Sequence, residues 1–202
     1  YDPRNYEIFL ACLAEEMARL RPEAAEHYRA RAREAIERLH ELLEGAPVLN
    51  LTAAADMPVV QYAVSWLGVE IGFLMIKEHG TPASPGDLVE LEEALSGHVV
   101  KLAVICEPAL ASASQRLEEL AEEHGIPVLY VPSPLAPASI LDKLEILVSR
   151  ARELAGLPSG PGPGEGSMPW PDAALLLATS VLLASALSAA LAFYGRRWER
   201  VP

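Results

Sequence analysis

The residues best suited to chemistry are five histidines, His27, His40, His79, His98 and His124, and two cysteines, Cys12 and Cys106. Histidine serves as a metal ligand or proton carrier, and cysteine as a nucleophile or soft ligand. Their spacing assembles neither kind of site. His27 and His40 lie 13 positions apart on one predicted helix, and the other three fall at predicted element ends facing solvent. No HxxxH, HExxH or CxxC pattern occurs, so no metal site is built from local spacing. Both cysteines are expected as small buried hydrophobes, with a disulfide between them left open. Ser112 and Ser114 have no accompanying base and read as helix caps. The stretch "GPGPGEG" is no phosphate cradle, because proline lacks the amide donor that a phosphate needs. No residue set argues for an enzyme. Asn50-Leu51-Thr52 is a glycosylation sequon, placed in a predicted buried strand and therefore expected to be unused.

The elements that must position these residues alternate in type. Asp2 followed by Pro3 is a helix start, and the helix should run to about Leu20. A second helix runs from Pro22 to Gly45, with Ala25, Tyr28, Ala32, Ile36, Leu39 and Leu43 forming one apolar stripe. Short apolar runs at 47–52, 71–76, 99–106 and 127–131 read as strands. Helical patterns at 58–68, 84–96, 112–125 and 137–156 separate or follow them, and Trp66 is expected in the core. Strands alternating with helices predict an α/β fold with a parallel four-stranded sheet, preceded by a long helix.

Residues 157–171 are dominated by proline and glycine and read as a tether. From Ala173 to Tyr194 no residue is charged, which gives about 33 Å of helix, enough to cross a bilayer core of about 30 Å. Trp170 and Tyr194 suit the interfaces, and Arg196, Arg197 and Arg200 favour the cytoplasmic side. The expected division is a helical segment 1–45, an α/β lobe 46–156, the tether 157–171, a transmembrane helix 172–195 and a cytoplasmic tail 196–202. The globular part is then extracytoplasmic, held at a lipid bilayer by residues 172–195. The chain opens on Tyr1 without a signal peptide, which reads as a fragment whose N-terminal part is missing. A formal net charge of −12 argues against nucleic acid as a partner.

Several stretches, in order, resemble the metal-binding substrate-binding proteins of zinc and manganese ABC transporters. "YDPRN" is similar to that family's W-L-D-P-x-N, and "RPEAAEHYRARA" to the start of its lobe-linking helix. "MPVVQYAVSWLGVE" resembles H-P-A-F-x-Y-F-x-x-x-Y-G-L-E, "TPASPGDLVEL" resembles E-P-S-P-x-x-L, and "VVKLAVICEP" resembles V-K-x-I-F-x-E-P. The resemblance covers residues 1 to about 155 and implies two lobes with a divalent metal, zinc or manganese, held between them. The first lobe and two histidine ligands would lie before Tyr1. The third family ligand position is Met57 and the fourth is Ser133, so both are substituted here. A thioether suits neither zinc nor manganese, though it suits copper(I), and a hydroxyl is a weak neutral donor. Asp56 is a candidate replacement ligand one position away. Glu107, at a strand's carboxyl end, is another, with a structural role as its other reading.

The resemblance implies a membrane-anchored carrier that passes a metal ion to an ABC permease. Met57 and Ser133 also suit a surface interaction or adhesion module of the same fold without metal. A tail-anchored adaptor inside the cell is a third alternative, if residue 1 lies near the true start.

Overall fold

The computed structural model describes residues 2–77, 80–109 and 111–156. The predicted tether and transmembrane helix at 157–195, and the tail beyond, lie outside the described residues. Among the described residues no helix is long and apolar enough to cross a membrane.

Helix α1 spans Pro3–Leu20, with Asp2 capping it: its carboxylate accepts from Arg4 N at 2.8 Å and Asn5 N at 3.3 Å. A short 3-10 turn at Pro22–Ala24 leads into α2, Ala25–Glu44. The pairs Glu15–Arg29 (2.9 Å) and Glu7–His40 (3.2 Å) run in opposite sequence directions, so the two helices form an antiparallel hairpin. Cys12 lies on the exposed side of α1, against the expectation of burial. Its neighbours Ile8, Phe9 and Leu13 are exposed too, and Leu13 borders a groove between α1 and α2.

The α/β part follows as β1 (Leu51–Ala55), α3 (Gln61–Val64), β2 (Val69–Leu74), α4 (Pro85–Ser96), β3 (Leu102–Glu107), α5 (Ser112–Glu123), β4 (Val128–Pro132) and α6 (Ile140–Leu154). The four strands form one parallel sheet in the order β2-β1-β3-β4, as the alternation predicts. Ser84 and Asp87 form a reciprocal capping box at α4, and Ser139 and Asp142 do the same at α6. Lys77, 2.7 Å from Asp87, lowers that carboxyl to about 2, helped by the Ser84 hydrogen bonds.

Strand side chains alternate between two cores. Ala53, Ala55, Val104, Cys106 and Val131 face α3 and α6, while Ala54, Ala103 and Ile105 face α4 and α5. A third cluster of Leu39, Leu141 and Leu144, with Trp66 half-buried against it, fastens α2 to α6.

Three further expectations shift. The first strand begins at Leu51 rather than Pro47 and ends in three fully buried alanines. Alanine is a poor strand former, but both faces of this central strand are covered, and burial overrides propensity. The predicted helix 58–68 is a broken one, with 3-10 turns at Pro58–Val60 and Ser65–Leu67 around the single turn of α3. Asn50 is exposed and left-handed (φ 50°), just before β1 rather than buried within it, so the premise for an unused sequon fails.

Gly68 ends the broken helix at φ 73°, where a Cβ would come 2.9 Å from Asn50 Oδ1 and 3.1 Å from Val48 Cγ1. Gly68→Ala is expected to lose at least about 1–2 kcal/mol from the left-handed backbone alone. Urea unfolding of the two proteins measures it, and an unchanged midpoint contradicts the assignment.

Candidate metal site

In open parallel sheets, ligands bind beyond the carboxyl ends of the strands, where the strand order reverses. Here the chain goes from β1 outward to β2 and then back past β1 to β3, so the reversal lies between β1 and β3. The four sequence-predicted residues all sit at this edge: Asp56 and Met57 follow β1, Glu107 ends β3, and Ser133 follows β4.

Asp56 is fully buried. Its backbone is clamped between neighbours, with its N–H on Val104 O (3.1 Å) and its carbonyl accepting from Ile76 N (3.0 Å). Its carboxylate Oδ2 accepts from Cys106 N at 3.0 Å and from Ser114 Oγ at 2.7 Å, whereas Oδ1 has no partner. Burial pushes this carboxyl above its ordinary range, opposed by the bonds from Ser114 and Cys106. Ser114 was expected as a helix cap. It is buried inside the first turn of α5 instead and spends its hydroxyl on Asp56, while Ala111 holds the cap position without a side-chain bond.

Met57 is extended, as a residue before proline must be, and packs half-buried against the core on the α3 and α6 side. Cys106 lies on that same side and is 7% exposed. Burial pushes its thiol up, the Asp56 charge adds to this, and a hydrogen bond with the Ser133 side chain opposes both. Ser133 donates its N–H to Glu107 O (3.0 Å), and its Oγ accepts from Leu135 N (3.2 Å). Lys143, buried in α6, donates to Pro134 O at 2.9 Å and pins the loop that carries Ser133. Glu107 is exposed and paired with Arg150 at 2.7 Å, and Arg150 also donates to Tyr130 O at 2.8 Å.

At this edge the Cys106 amide donates to Asp56, Met57 and Cys106 belong to the same apolar core, and Ser133 follows the neighbouring strand. Among the described residues no three His, Cys, Asp or Glu side chains gather into a group able to hold a metal. His27, His40 and His98 are exposed and His124 half-buried, while His79 is outside the described residues.

The parallel sheet flanked by helices, with polar and sulfur residues along its carboxyl edge, makes this part an α/β lobe. The model of the family zinc-uptake complex component A, periplasmic (ZnuA), matches residues 1–142, and the chain belongs to that family. No curated protein matches the chain. Among solved structures, a crystal structure of ZnuA superposes with a TM-score of 0.60 at 19% identity, over 77% of this chain and 59% of that one. A Zn(II)-bound variant of AdcAII from Streptococcus pneumoniae gives 0.56 at 18% identity, over 77% and 58%. The Pseudomonas aeruginosa substrate-binding protein FpvC in complex with Mn2+ gives 0.53 at 20%, over 70% and 57%. At such identities the likeness shows the fold. The chain spans less than two thirds of the length of each of these structures.

Proposed function

We propose that this chain is the metal-capturing component of an ABC-type importer and works outside the cytoplasm. Residues 1–45 supply the linking helix and 46–156 the second lobe. In this reading a first lobe completes the carrier, residues 172–195 hold it at the bilayer, and a permease receives the ion. The role is binding and delivery, with no bond made or broken in the cargo. The family match over residues 1–142 carries the reading, together with Asp56, Met57 and Ser133 on one sheet edge.

The rival reading is an interaction module that has lost metal. It draws on the two substituted ligand positions and on the lack of a three-member acidic, histidine or cysteine cluster among the described residues. Thermal unfolding of the chain joined to its first lobe, with a panel of Zn(II), Mn(II) and anaerobic Cu(I), separates the two. A cation present at a hundred times its dissociation constant stabilises the native state by about 2.7 kcal/mol. Stabilisation by one of the three supports the carrier. No response to any of them removes it in favour of the interaction module.

A further inference from the structure

Asn50-Leu51-Thr52 is the single N-x-[ST] tripeptide in the chain, and the carrier reading makes no use of it. The fold holds its asparagine where a large polar group can be carried. Asn50 is exposed at φ 50°, one residue before β1, on the turn that joins α2 to the sheet. Asparagine is enriched several-fold among non-glycine residues at positive φ, so the type also suits the backbone. Bonds on either side fix the turn: Leu49 N donates to Leu67 O at 2.8 Å, and Leu51 N to Gly68 O at 3.2 Å. Among the described residues the Asn50 carboxamide makes no hydrogen bond, so enlarging it breaks none. All four strands are parallel, and Asn50 stands at the amino end of β1. A bulky group there lies at the opposite end of the sheet from Asp56, Met57, Glu107 and Ser133.

Thr52 is placed differently. It is half-buried in β1, opposite Glu70 of β2, and its carbonyl accepts from Lys101 N at 2.9 Å. The hydroxyl that completes the tripeptide is therefore fixed inside the sheet once the sheet has closed. Recognition of all three residues belongs to the chain before folding, as it emerges outside the cytoplasm. Resting on the extracytoplasmic place given to the carrier above, we propose that Asn50 bears an N-linked glycan, added before β1 is built into the sheet. The donor is a sugar chain linked to a polyprenyl phosphate or diphosphate. The bond from the sugar C1 to the phosphate oxygen breaks and a bond from C1 to Asn50 Nδ2 forms. The lipid phosphate leaves with the bonding pair, the amide proton passes to it or to solvent, and nothing is oxidised or reduced. The folded protein then carries the sugar on its surface, as such a bulky, solubilising group requires.

The test is peptide mass spectrometry of the full chain purified from the membranes of the cells it comes from. Trypsin cuts after Arg38 and Lys77, and Asn50 is the one asparagine between them. Expected is a sugar mass increment on that peptide, located on Asn50 by fragmentation. Thr52→Ser preserves the tripeptide and should keep the increment. Thr52→Val keeps the side-chain shape, leaves Asn50 in place and should lose the increment, which a purely structural role of Asn50 would not produce. Should Thr52→Val fail to fold, the wild type decides, since an unmodified Asn50 in it overturns the site. An increment that persists in Thr52→Val overturns it too. In parallel, Glu93→Cys, at an exposed position of α4, is treated on intact cells with a membrane-impermeant maleimide. The background is Cys12→Ser, because Cys12 is an exposed thiol and Cys106 a buried one. Labelling with Asn50 unmodified overturns the glycan and leaves the carrier outside the cytoplasm. No labelling with Asn50 unmodified removes the extracytoplasmic reading as well.

Discussion

Asp56→Ala is expected to destabilise the protein by about 2–5 kcal/mol, because it strips two buried donors of their acceptor at once. The amide of Cys106 and the hydroxyl of Ser114 both end on Asp56 Oδ2, and all three residues are buried. Each orphaned donor costs about 1–3 kcal/mol. Asp56→Asn is a different experiment. The amide oxygen can take the place of Oδ2 and accept both bonds, and the change removes a buried charge. Its effect therefore depends on pH, and the sign follows from the raised carboxyl. The folded protein holds the Asp56 proton more tightly than the unfolded chain, whose value is near 3.8. This group's contribution is fully present below that value and is lost as pH rises through the folded-state value. Relative to wild type, Asp56→Asn should gain stability as pH rises. Urea midpoints of both proteins from about pH 4 to about pH 8 read out the difference, since every other titrating group cancels between them. A wild type more stable than Asp56→Asn at neutral pH would mean that the charge is compensated in the native state.

That junction was only partly legible from the sequence. Asp56 stood out through its place next to a family ligand position, and its strand-end location follows from the βα alternation. Its partners did not stand out. Residue 56 is 50 positions from 106 and 58 from 114, and meets them only because β3 lies beside β1. The same holds for the place of Cys106 on β3, between β1 and β4: it depends on strand order, which spacing alone does not encode. Cys12 shows the opposite failure. Cysteine is most often buried, but its side of α1, shared with Ile8, Phe9 and Leu13, is the exposed one. Periodicity reveals that a helix has an apolar face and says nothing about what covers it. The alanine run 53–55 was missed as strand for a related reason. Its strand character comes from burial on both faces rather than from the residues themselves.

Leu39→Ala should be about as costly as the loss of Asp56, but in another place. Leu39 is fully buried where α2 meets α6, against Leu141 and Leu144 with Trp66 at the margin. A buried leucine cut to alanine loses about 2–5 kcal/mol, more where the walls of the cavity cannot collapse. These walls belong to two helices and a turn, each tied down elsewhere, so the upper half of that range is expected. Two polar links also join α2 to α6: Arg38 to Glu145 at 2.6 Å, and Arg152 Nε to Gly45 O at 2.9 Å. Arg38 is half exposed, and an ion pair in that setting contributes at most about 1 kcal/mol. The leucine therefore dominates, and Arg38→Gln should change stability little. Hydrogen exchange locates the loss. In Leu39→Ala, amides of α1 and α2 should exchange faster while β1 and β3 keep their protection, because the hairpin's hold on the lobe is what has been weakened. Uniform loss of protection would mean that hairpin and sheet unfold as one unit. That second outcome makes α2 a rigid extension of the sheet, and Leu39 the contact through which the helix and the lobe move together.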